Sequence, residues 1–311
     1  MLGLSNTAKA DLWLLLVTVL AAISWMFSKE AILIMPPLLF TSLRFSVAGL
    51  LLALLGWRQI RDLCWGQYTQ AMAVGSVFTV GMCFWIMGVN SGVSLSIGGF
   101  LTSLAVVFVP VFSSLFFKES LPKSTWLAMP VATTGLAVLS LEKEFTLDSG
   151  QLYFIYSAFF FAFFFILNAR AANYRAELAN RRASERVPVL ALTAVSLSTV
   201  GVLSGVLSFF IEPWSVLLTG ASVDIVTWVM TSAFIGTALR FFIQAYAQSL
   251  SGSSHGVVIM VVEPVWTALF AALWFSERLS ARDFIACALI FLSLIINRWS
   301  SISGLLKPRV L

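Results

Sequence analysis

Few residues in this chain could do chemistry, and those few lie in strongly apolar surroundings. Glu263 stands within GVVIMVVEPVW, residues 256–266, and Arg240 stands within TALRFFIQAYAQS, residues 237–249. A charged side chain in such a run costs free energy unless an opposite charge pairs with it or a function requires it. Two hypotheses follow for Glu263: it is a proton or substrate-amine site, or it only neutralises Arg240 or bonds the backbone near Pro264.

Arg240 and Glu263 lie at the same predicted depth. Each is about nine or ten residues from the same end of two successive apolar segments, which at ~1.5 Å per residue is about 13 to 15 Å. The loop SGSS between those segments is short. We therefore expect an ion pair between Arg240 and Glu263, because either charge alone would be costly in the middle of a bilayer.

Two prolines interrupt apolar segments that occupy related places in the two halves of the chain. Pro264 removes a backbone donor and frees the carbonyl of Met260, and Pro110 does the same for Val106. Freed carbonyls at membrane depth are tolerated where they face protein or a wet cavity. These prolines are candidate gating kinks, with static packing kinks as the alternative.

Small residues mark the turns beside both prolines, in GVNSGVSLSIGG and AQSLSGSSHGV. They include Gly98 and Gly99 in the first half, and Gly252 and Gly256 in the second. Glycine lets two helix backbones approach closely. We therefore expect the third and fourth apolar segments, and the eighth and ninth, to move as pairs.

Polar-tipped aromatic residues are the other candidates for a substrate cavity. Trp25, Trp85, Tyr246 and Trp266 all lie inside apolar segments, where they either line a cavity or simply pack. Asn168 is equally ambiguous. So is Arg44, whose long side chain could reach outward to the membrane surface.

Enzyme chemistry lacks its usual residues. His255 is the only histidine, so paired imidazole metal ligands are excluded. The chain has no G-x-x-x-x-G-K-[ST] loop for ATP. Cys64, Cys83 and Cys287 are too few and too scattered for a disulfide framework or a metal site. We expect no enzyme activity, no metal and no cofactor.

Composition identifies the elements that must position these residues. Of 311 residues, 59% are hydrophobic and 11% are charged, against about 25% charged in soluble domains, and the mean hydropathy is +0.95. Charged islands divide the chain into ten apolar segments near the length of about 20 residues that spans a bilayer. These predicted spans are 12–27, 38–57, 71–89, 97–117, 126–141, 151–169, 187–211, 225–249, 257–275 and 284–296.

Lysine and arginine predict the orientation. Most lie between spans on the same side as the N-terminus, including the loop ARAANYRAELANRRASERVP. The exceptions are Lys29, Lys143, Arg278 and Arg282 on the other side, and Arg44 and Arg240 within spans. The positive-inside rule then places both termini, including a tail at 301–311, in the cytoplasm. The net charge of +5 fits contact with lipid headgroups, and no nucleic-acid partner is expected.

An internal repeat relates the two halves. FKESLPKSTWLA, residues 117–128, and FSERLSARDFIA, residues 275–286, share Phe, Glu, Leu and the final Ala at matching places. Each follows a proline-containing segment, VFVPVF or VVEPVW. Because five spans is an odd number, the second half must insert upside down, with a cavity between the halves.

These residues resemble the EamA repeats of the drug/metabolite transporter superfamily. The signature EPVWTALFAALWFSERLS, residues 263–280, carries most of the resemblance, whereas the first half departs from it at Val106 and FKES. The resemblance implies an all-α polytopic membrane protein of ten helices in two inverted five-helix repeats, 8–145 and 148–300. It also implies a central cavity lined mainly by the first, third, fourth, sixth, eighth and ninth helices, and export without ATP.

Within the superfamily the chain is most similar to bacterial exporters of aromatic amino acids. We therefore expect a bacterial inner-membrane exporter of amino acids, aromatic and other neutral ones, and of related small metabolites, which works by alternating access. A monomer would suffice, and an oligomer is not excluded. The alternatives are a broad-specificity drug or metabolite exporter or a lipid flippase on the same scaffold, and an ion channel, which would require rings of like charges or carbonyls.

Overall fold

The protein is all-helical throughout the part of the chain that its computed structural model describes. That part comprises residues 6–93, 95–118, 123–140, 148–173, 187–214, 222–250 and 258–275, with isolated positions between 285 and 296. Seven helical segments within it are long and apolar enough to cross a membrane, and no strand occurs among these residues. The predicted all-helical architecture is thereby confirmed for these residues.

The helices follow the predicted apolar segments closely. In the first half they are α1 (Asn6–Ile32), α2 (Pro37–Leu55), the short α3 (Trp57–Arg61), α4 (Trp65–Asn90), α5 (Leu95–Ser103), α6 (Ala105–Phe117) and α7 (Lys123–Ser140). In the second half they are α8 (Ser149–Asn173), α9 (Val189–Ile211), α10 (Val223–Thr231), α11 (Arg240–Leu250) and α12 (Glu263–Phe275). Most of the predicted tenth span lies outside the described residues.

Three of the predicted spans are interrupted helices. The fourth consists of α5 and α6, which meet at Leu104. The eighth contains a π-helix, Ser232–Leu239, between α10 and α11. The ninth opens with a 3-10 turn, Val258–Val262, before α12 begins. Interrupted helices inside transporters mark places where backbone groups face a cavity or where the chain moves.

The α2 and α9 helices form the tightest pairing between the halves. A Cβ atom added to Gly49 would lie 2.7 Å from the Ser198 nitrogen, and one added to Gly201 would lie 2.6 Å from the Ser46 nitrogen. The Ser42 hydroxyl also donates to the Gly201 carbonyl, at 2.8 Å. Each half thus contributes a Ser-x-x-Gly sequence whose glycine packs under the other half's serine, as small residues do in membrane helix pairs.

The remaining contacts between the halves are reciprocal. The first helix of the first half, α1, packs on α11 and α12 of the second half. The first helix of the second half, α8, packs in the same way on α4 and on the α5 and α6 pair of the first half. Among the described helices, these two sets of contacts are exchanged with each other when the two halves are exchanged.

Glu212 fastens the end of α9 to the start of α2. Its two carboxylate oxygens accept hydrogen bonds from the backbone nitrogens of Leu38 and Leu39, at 2.9 and 2.8 Å. The Ser208 hydroxyl donates to the same carboxylate at 2.7 Å. The first N–H groups of a helix have no partner within the helix, so Glu212 acts as an N-cap supplied by another helix.

Candidate functional site

A cavity lies between the two halves of the chain. Its wall includes residues from all six helices that the resemblance implied, and α2 adds Arg44. Aromatic side chains make up much of this wall. They are Trp25, Phe78, Trp85, Phe161, Phe164, Phe165 and Phe241.

The structure brings Arg240 and Glu263 together at this cavity. The Arg240 Nη2 atom lies 3.5 Å from the Glu263 Oε2 atom, and the two side chains are 14% and 16% exposed. The indole nitrogen of Trp25 donates to Glu263 Oε1 at 2.9 Å. Glu263 is the first residue of α12 and Arg240 the first of α11, so both charges sit where an irregular segment becomes an α-helix.

Arg44 is the second cation of the cavity wall, and it is only 1% exposed. Its Nη1 atom donates to the Ser28 hydroxyl at 2.7 Å, its Nη2 to the Ser24 hydroxyl at 3.2 Å, and its Nε to the Thr237 hydroxyl at 3.1 Å. The expectation that Arg44 extends outward to the membrane surface is therefore wrong. Three hydroxyl acceptors on α1 and the π-helix hold the guanidinium inside.

The π-helix is connected directly to Arg44. The Thr237 hydroxyl, which accepts from Arg44, donates to the Ser232 carbonyl five residues earlier, at 2.9 Å. Gly236 lets this segment approach α1, because a Cβ atom there would lie 2.7 Å from the Ser24 hydroxyl oxygen. The irregular turn and the buried guanidinium therefore support each other, immediately before Arg240.

The aromatic wall is a connected set of ring contacts. Trp25 and Trp85 meet edge to face with ring centroids 4.7 Å apart. Phe78 stacks on Phe164 at 4.0 Å and meets Phe241 edge to face at 4.9 Å. Trp25 and Trp85 were candidates from the sequence. The three phenylalanines were not, because nothing in an apolar run distinguishes a phenylalanine that faces a cavity from one that faces lipid.

Three other predicted cavity residues lie elsewhere. Tyr246 is 42% exposed, beside Trp13 on α1. Asn168 is buried and donates to the side-chain oxygen of Gln248 at 2.6 Å, which ties α8 to α11. Trp266 packs against the hydrophobic core from α12. The structure does not place Tyr246, Asn168 or Trp266 in the cavity wall.

Two of the predicted gating residues face each other in the cavity wall. A Cβ atom on Gly99 would lie 3.9 Å from the Cβ of Pro264. Gly98 instead packs against the Phe154 ring, 2.7 Å from such a Cβ. Pro264 is the second residue of α12, where proline is well tolerated. The irregularity expected in the ninth span is thus a change from 3-10 to α-helix rather than a kink within an α-helix.

Pro110 lies within α6, but the fourth span is interrupted at Leu104, two residues before the carbonyl that the proline frees. That carbonyl belongs to Val106, which lines the cavity. Gly252 and Gly256 lie outside the described residues. Among the residues that are described, no group of three histidine, cysteine, aspartate or glutamate side chains could hold a metal ion.

The model of the EamA-like transporter family matches residues 8–141 and 148–299, which together make up most of the chain. The chain belongs to the EamA-like transporter family. Members of this family are membrane transporters of the drug/metabolite type and not enzymes. A small-molecule substrate and a membrane location follow for this EamA-like protein.

The fold of this EamA-like protein also occurs in solved structures. One of them, described as "Crystal structure of protein", superposes with a TM-score of 0.72 at 17% sequence identity, over 97% of this chain and 98% of the other. At that identity the similarity shows the fold alone. No curated protein matches the sequence.

Proposed function

We propose that this EamA-like transporter exports neutral amino acids, aromatic ones above all, by alternating access. The observation that carries the proposal is a single cavity between the halves that combines an aromatic wall with the Arg240–Glu263 pair and Arg44. Such a cavity offers apolar surface for a side chain and an arginine for the carboxylate of a zwitterionic head group.

The aromatic wall supports a preference for aromatic side chains. Phe78, Phe164 and Phe241 already contact one another at ring separations of 4.0 to 6.2 Å. Offset and edge-to-face ring contacts add about 0.5 to 1.5 kcal/mol beyond the burial of apolar area. A substrate ring inserted beside Phe78 would gain such contacts, whereas a polar side chain would lose its hydration there.

The charged residues support a zwitterion over a cationic drug. Two arginines and one glutamate line the cavity, so its wall carries more positive than negative charge. A cationic drug would meet Arg44 and Arg240 with only Glu263 in its favour, and like charges at a binding site oppose association. An amino acid can instead present its carboxylate to an arginine.

Transport in this proposal depends on the interrupted helices. The junctions at Leu104, at Ser232–Leu239 and at Val258–Val262 all lie in helices that line the cavity. Bending at these junctions would open the cavity to one face and then to the other. Residues of both halves of one chain line the cavity, and a monomer is the proposed working unit.

The proposed placement is a bacterial inner membrane with both termini in the cytoplasm and the repeats inverted. It rests on the distribution of lysine and arginine along the chain. The reciprocal helix contacts between the halves support the inverted arrangement. Labelling of single introduced cysteines from each side of oriented vesicles tests this placement. A cysteine near Lys9 should react with a thiol reagent added on the cytoplasmic side, and a cysteine near Lys29 with the reagent added on the opposite side.

Counterflow in proteoliposomes tests the proposed function. Labelled phenylalanine, methionine, threonine and a cationic dye are compared, with protein-free vesicles as the control. We expect phenylalanine to accumulate fastest, methionine next and threonine least, because the apolar area that the cavity can bury falls in that order. Movement of the dye without movement of any amino acid would contradict the proposal and favour a drug exporter. An imposed pH gradient tests coupling to protons.

A further inference from the structure

We propose that Arg44 is the binding site for the carboxylate of the substrate, and that the cavity accepts aromatic carboxylates whether or not they carry an α-ammonium group. This inference rests on the proposed function only in taking the cavity as the substrate site. It extends the substrate class from aromatic amino acids to aromatic 2-oxo acids and arylpropionates. The α-ammonium group then contributes little to recognition.

Of the charged side chains in the cavity wall, Glu263 and Arg240 pair with each other, whereas Arg44 has no described carboxylate partner. Both oxygens of Glu263 already have partners, Oε1 in the Trp25 indole and Oε2 in the Arg240 guanidinium. Among the described residues, no carboxylate lies within ion-pair distance of Arg44, which is 1% exposed. A buried cation is stabilised by an anionic partner far more than by neutral dipoles. Arg44 is therefore the cation of this wall that lacks a carboxylate partner among the described residues.

The Arg44 guanidinium is held in place with donors to spare. A guanidinium has five N–H groups, and the hydroxyls of Ser24, Ser28 and Thr237 each accept from a different nitrogen. One N–H on each terminal nitrogen is left by these three bonds. Two donors on one planar group are what a carboxylate takes in a bidentate contact. The hydroxyls orient the arginine but leave its charge uncompensated.

Arg44 lines the cavity and also contacts two phenylalanine rings. Phe40 and Phe45 lie against the guanidinium, with ring centroids 5.4 and 5.0 Å from its central carbon. Phe45 in turn contacts Phe78 and Phe241 at 5.7 and 6.0 Å. The arginine and the aromatic wall are thus adjacent. A carboxylate on Arg44 would therefore hold the rest of the ligand in the same cavity as Phe78.

Ligand binding to the purified full-length protein tests this inference. Phenylalanine, 3-phenylpropionate and phenethylamine share the ring but differ in which charged groups they carry, and all are ionised at neutral pH. Ligands that bind the folded state raise the unfolding temperature. We expect phenylalanine and 3-phenylpropionate to raise it at similar concentrations, and phenethylamine to need a concentration about tenfold higher or more, as loss of a charge-assisted contact implies.

Variants at Arg44 locate the carboxylate. Arg44→Gln should abolish stabilisation by phenylalanine and by 3-phenylpropionate alike, and Arg44→Lys should keep part of it, since lysine keeps the charge but not the planar pair of donors. The matched control is Arg61→Gln, at an arginine whose side chain is 69% exposed, and it should behave as the wild type. If Arg44→Gln does not fold, Arg44→Lys and the wild-type ligand series decide.

Three results would overturn the inference. They are stabilisation by phenethylamine as strong as that by phenylalanine, no stabilisation by 3-phenylpropionate, and wild-type ligand binding in the Arg44 variants. Failure of the proposed function has a different signature. If both carboxylates bind through Arg44 but no amino acid shows counterflow, the carboxylate site stands and amino-acid export is wrong.

Discussion

The α2 and α9 pair differs from the helices that carry Arg240 and Glu263 in the regularity of its backbone. α2 and α9 are continuous and locked by interdigitated Ser-x-x-Gly sequences and by Glu212. The helices of the charged pair are interrupted by a π-helix and a 3-10 turn at the point where each charge lies. Close packing makes the first region resist change, and irregular backbone makes the second region able to bend.

This difference separates residues needed for folding from residues needed for transport. Substitutions in the α2 and α9 pair should lower the free energy of unfolding and leave the behaviour of surviving protein unchanged. Substitutions around Glu263 should stop transport by protein that still folds. Loss of transport without loss of stability in the α2 and α9 pair, or loss of stability alone around Glu263, would contradict this comparison.

The largest effect should come from Gly49→Ala in the α2 and α9 pair. The added Cβ would lie 2.7 Å from the Ser198 backbone nitrogen, so the two helices must separate, at a cost of about 3 kcal/mol in the free energy of unfolding. Thermal unfolding and the yield of monodisperse protein measure it. The matched control is Gly66→Ala in α4, with nothing within 4 Å. If the Gly49→Ala protein is as stable as the Gly66→Ala protein, the α2 and α9 helices are not held together by this close contact.

The next effect should come from breaking the Arg240–Glu263 pair. Glu263→Gln or Arg240→Gln alone leaves one buried charge without its opposite charge and should cost about 2 kcal/mol in stability. The double variant should recover more than half of that stability yet remain inactive in counterflow, if Glu263 has a functional role. A stable double variant with normal transport would make the pair purely structural.

An exposed ion pair provides the control for that double variant. Arg61 and Asp62 lie 3.6 Å apart with side chains 69% and 70% exposed. Removing either charge should change the free energy of unfolding by no more than about 0.5 kcal/mol.

Glu212→Gln should have a smaller effect, and that effect should be on stability rather than on transport. The variant weakens two charge-assisted bonds to the start of α2 and should lower the free energy of unfolding by about 1 kcal/mol. Counterflow per folded molecule should stay within about twofold of wild type, because substitutions away from a functional site act mainly through stability. Loss of transport without loss of stability would instead make this end of α2 part of the moving region.

Tyr246→Phe should have the smallest effect. The Tyr246 ring is half-exposed beside Trp13 and outside the cavity wall. Removing its hydroxyl should therefore change the free energy of unfolding by no more than about 0.5 kcal/mol and leave the rate of counterflow unchanged. Trp85→Phe, inside the wall, is the comparison and should slow the counterflow of phenylalanine. Equal losses in the two variants would show that the cavity extends beyond the described wall.

Sequence alone predicted most of the helices and the contact between Arg240 and Glu263, for a physical reason. Apolar length determines where a chain crosses a membrane, and the helical rise converts residue number into depth. The meeting of Arg240 and Glu263 followed from their equal depth. The α2 and α9 contact carried a signal too, a Ser-x-x-Gly sequence in each half, but small residues are common in membrane helices.

The rotation of each helix was beyond prediction, because spans that are apolar on every side show no preferred face. Arg44 was therefore compatible with facing outward, and Tyr246 with facing the cavity, until packing decided both. The capping role of Glu212 depends on two helix ends that are far apart in sequence, and the π-helix depends on a threonine hydroxyl that bonds five residues back.

The π-helix makes the exact length of its span matter as much as its composition. In an α-helix each residue turns the chain by about 100°, so deleting one residue from the π-helix would rotate all that follows by that angle. Arg240, Gln244 and Gln248 recur every four residues on α11, and the two glutamines are buried. A one-residue deletion would keep the hydropathy of this span but turn that polar face toward lipid. The number of residues in the π-helix therefore determines which face of α11 points into the protein.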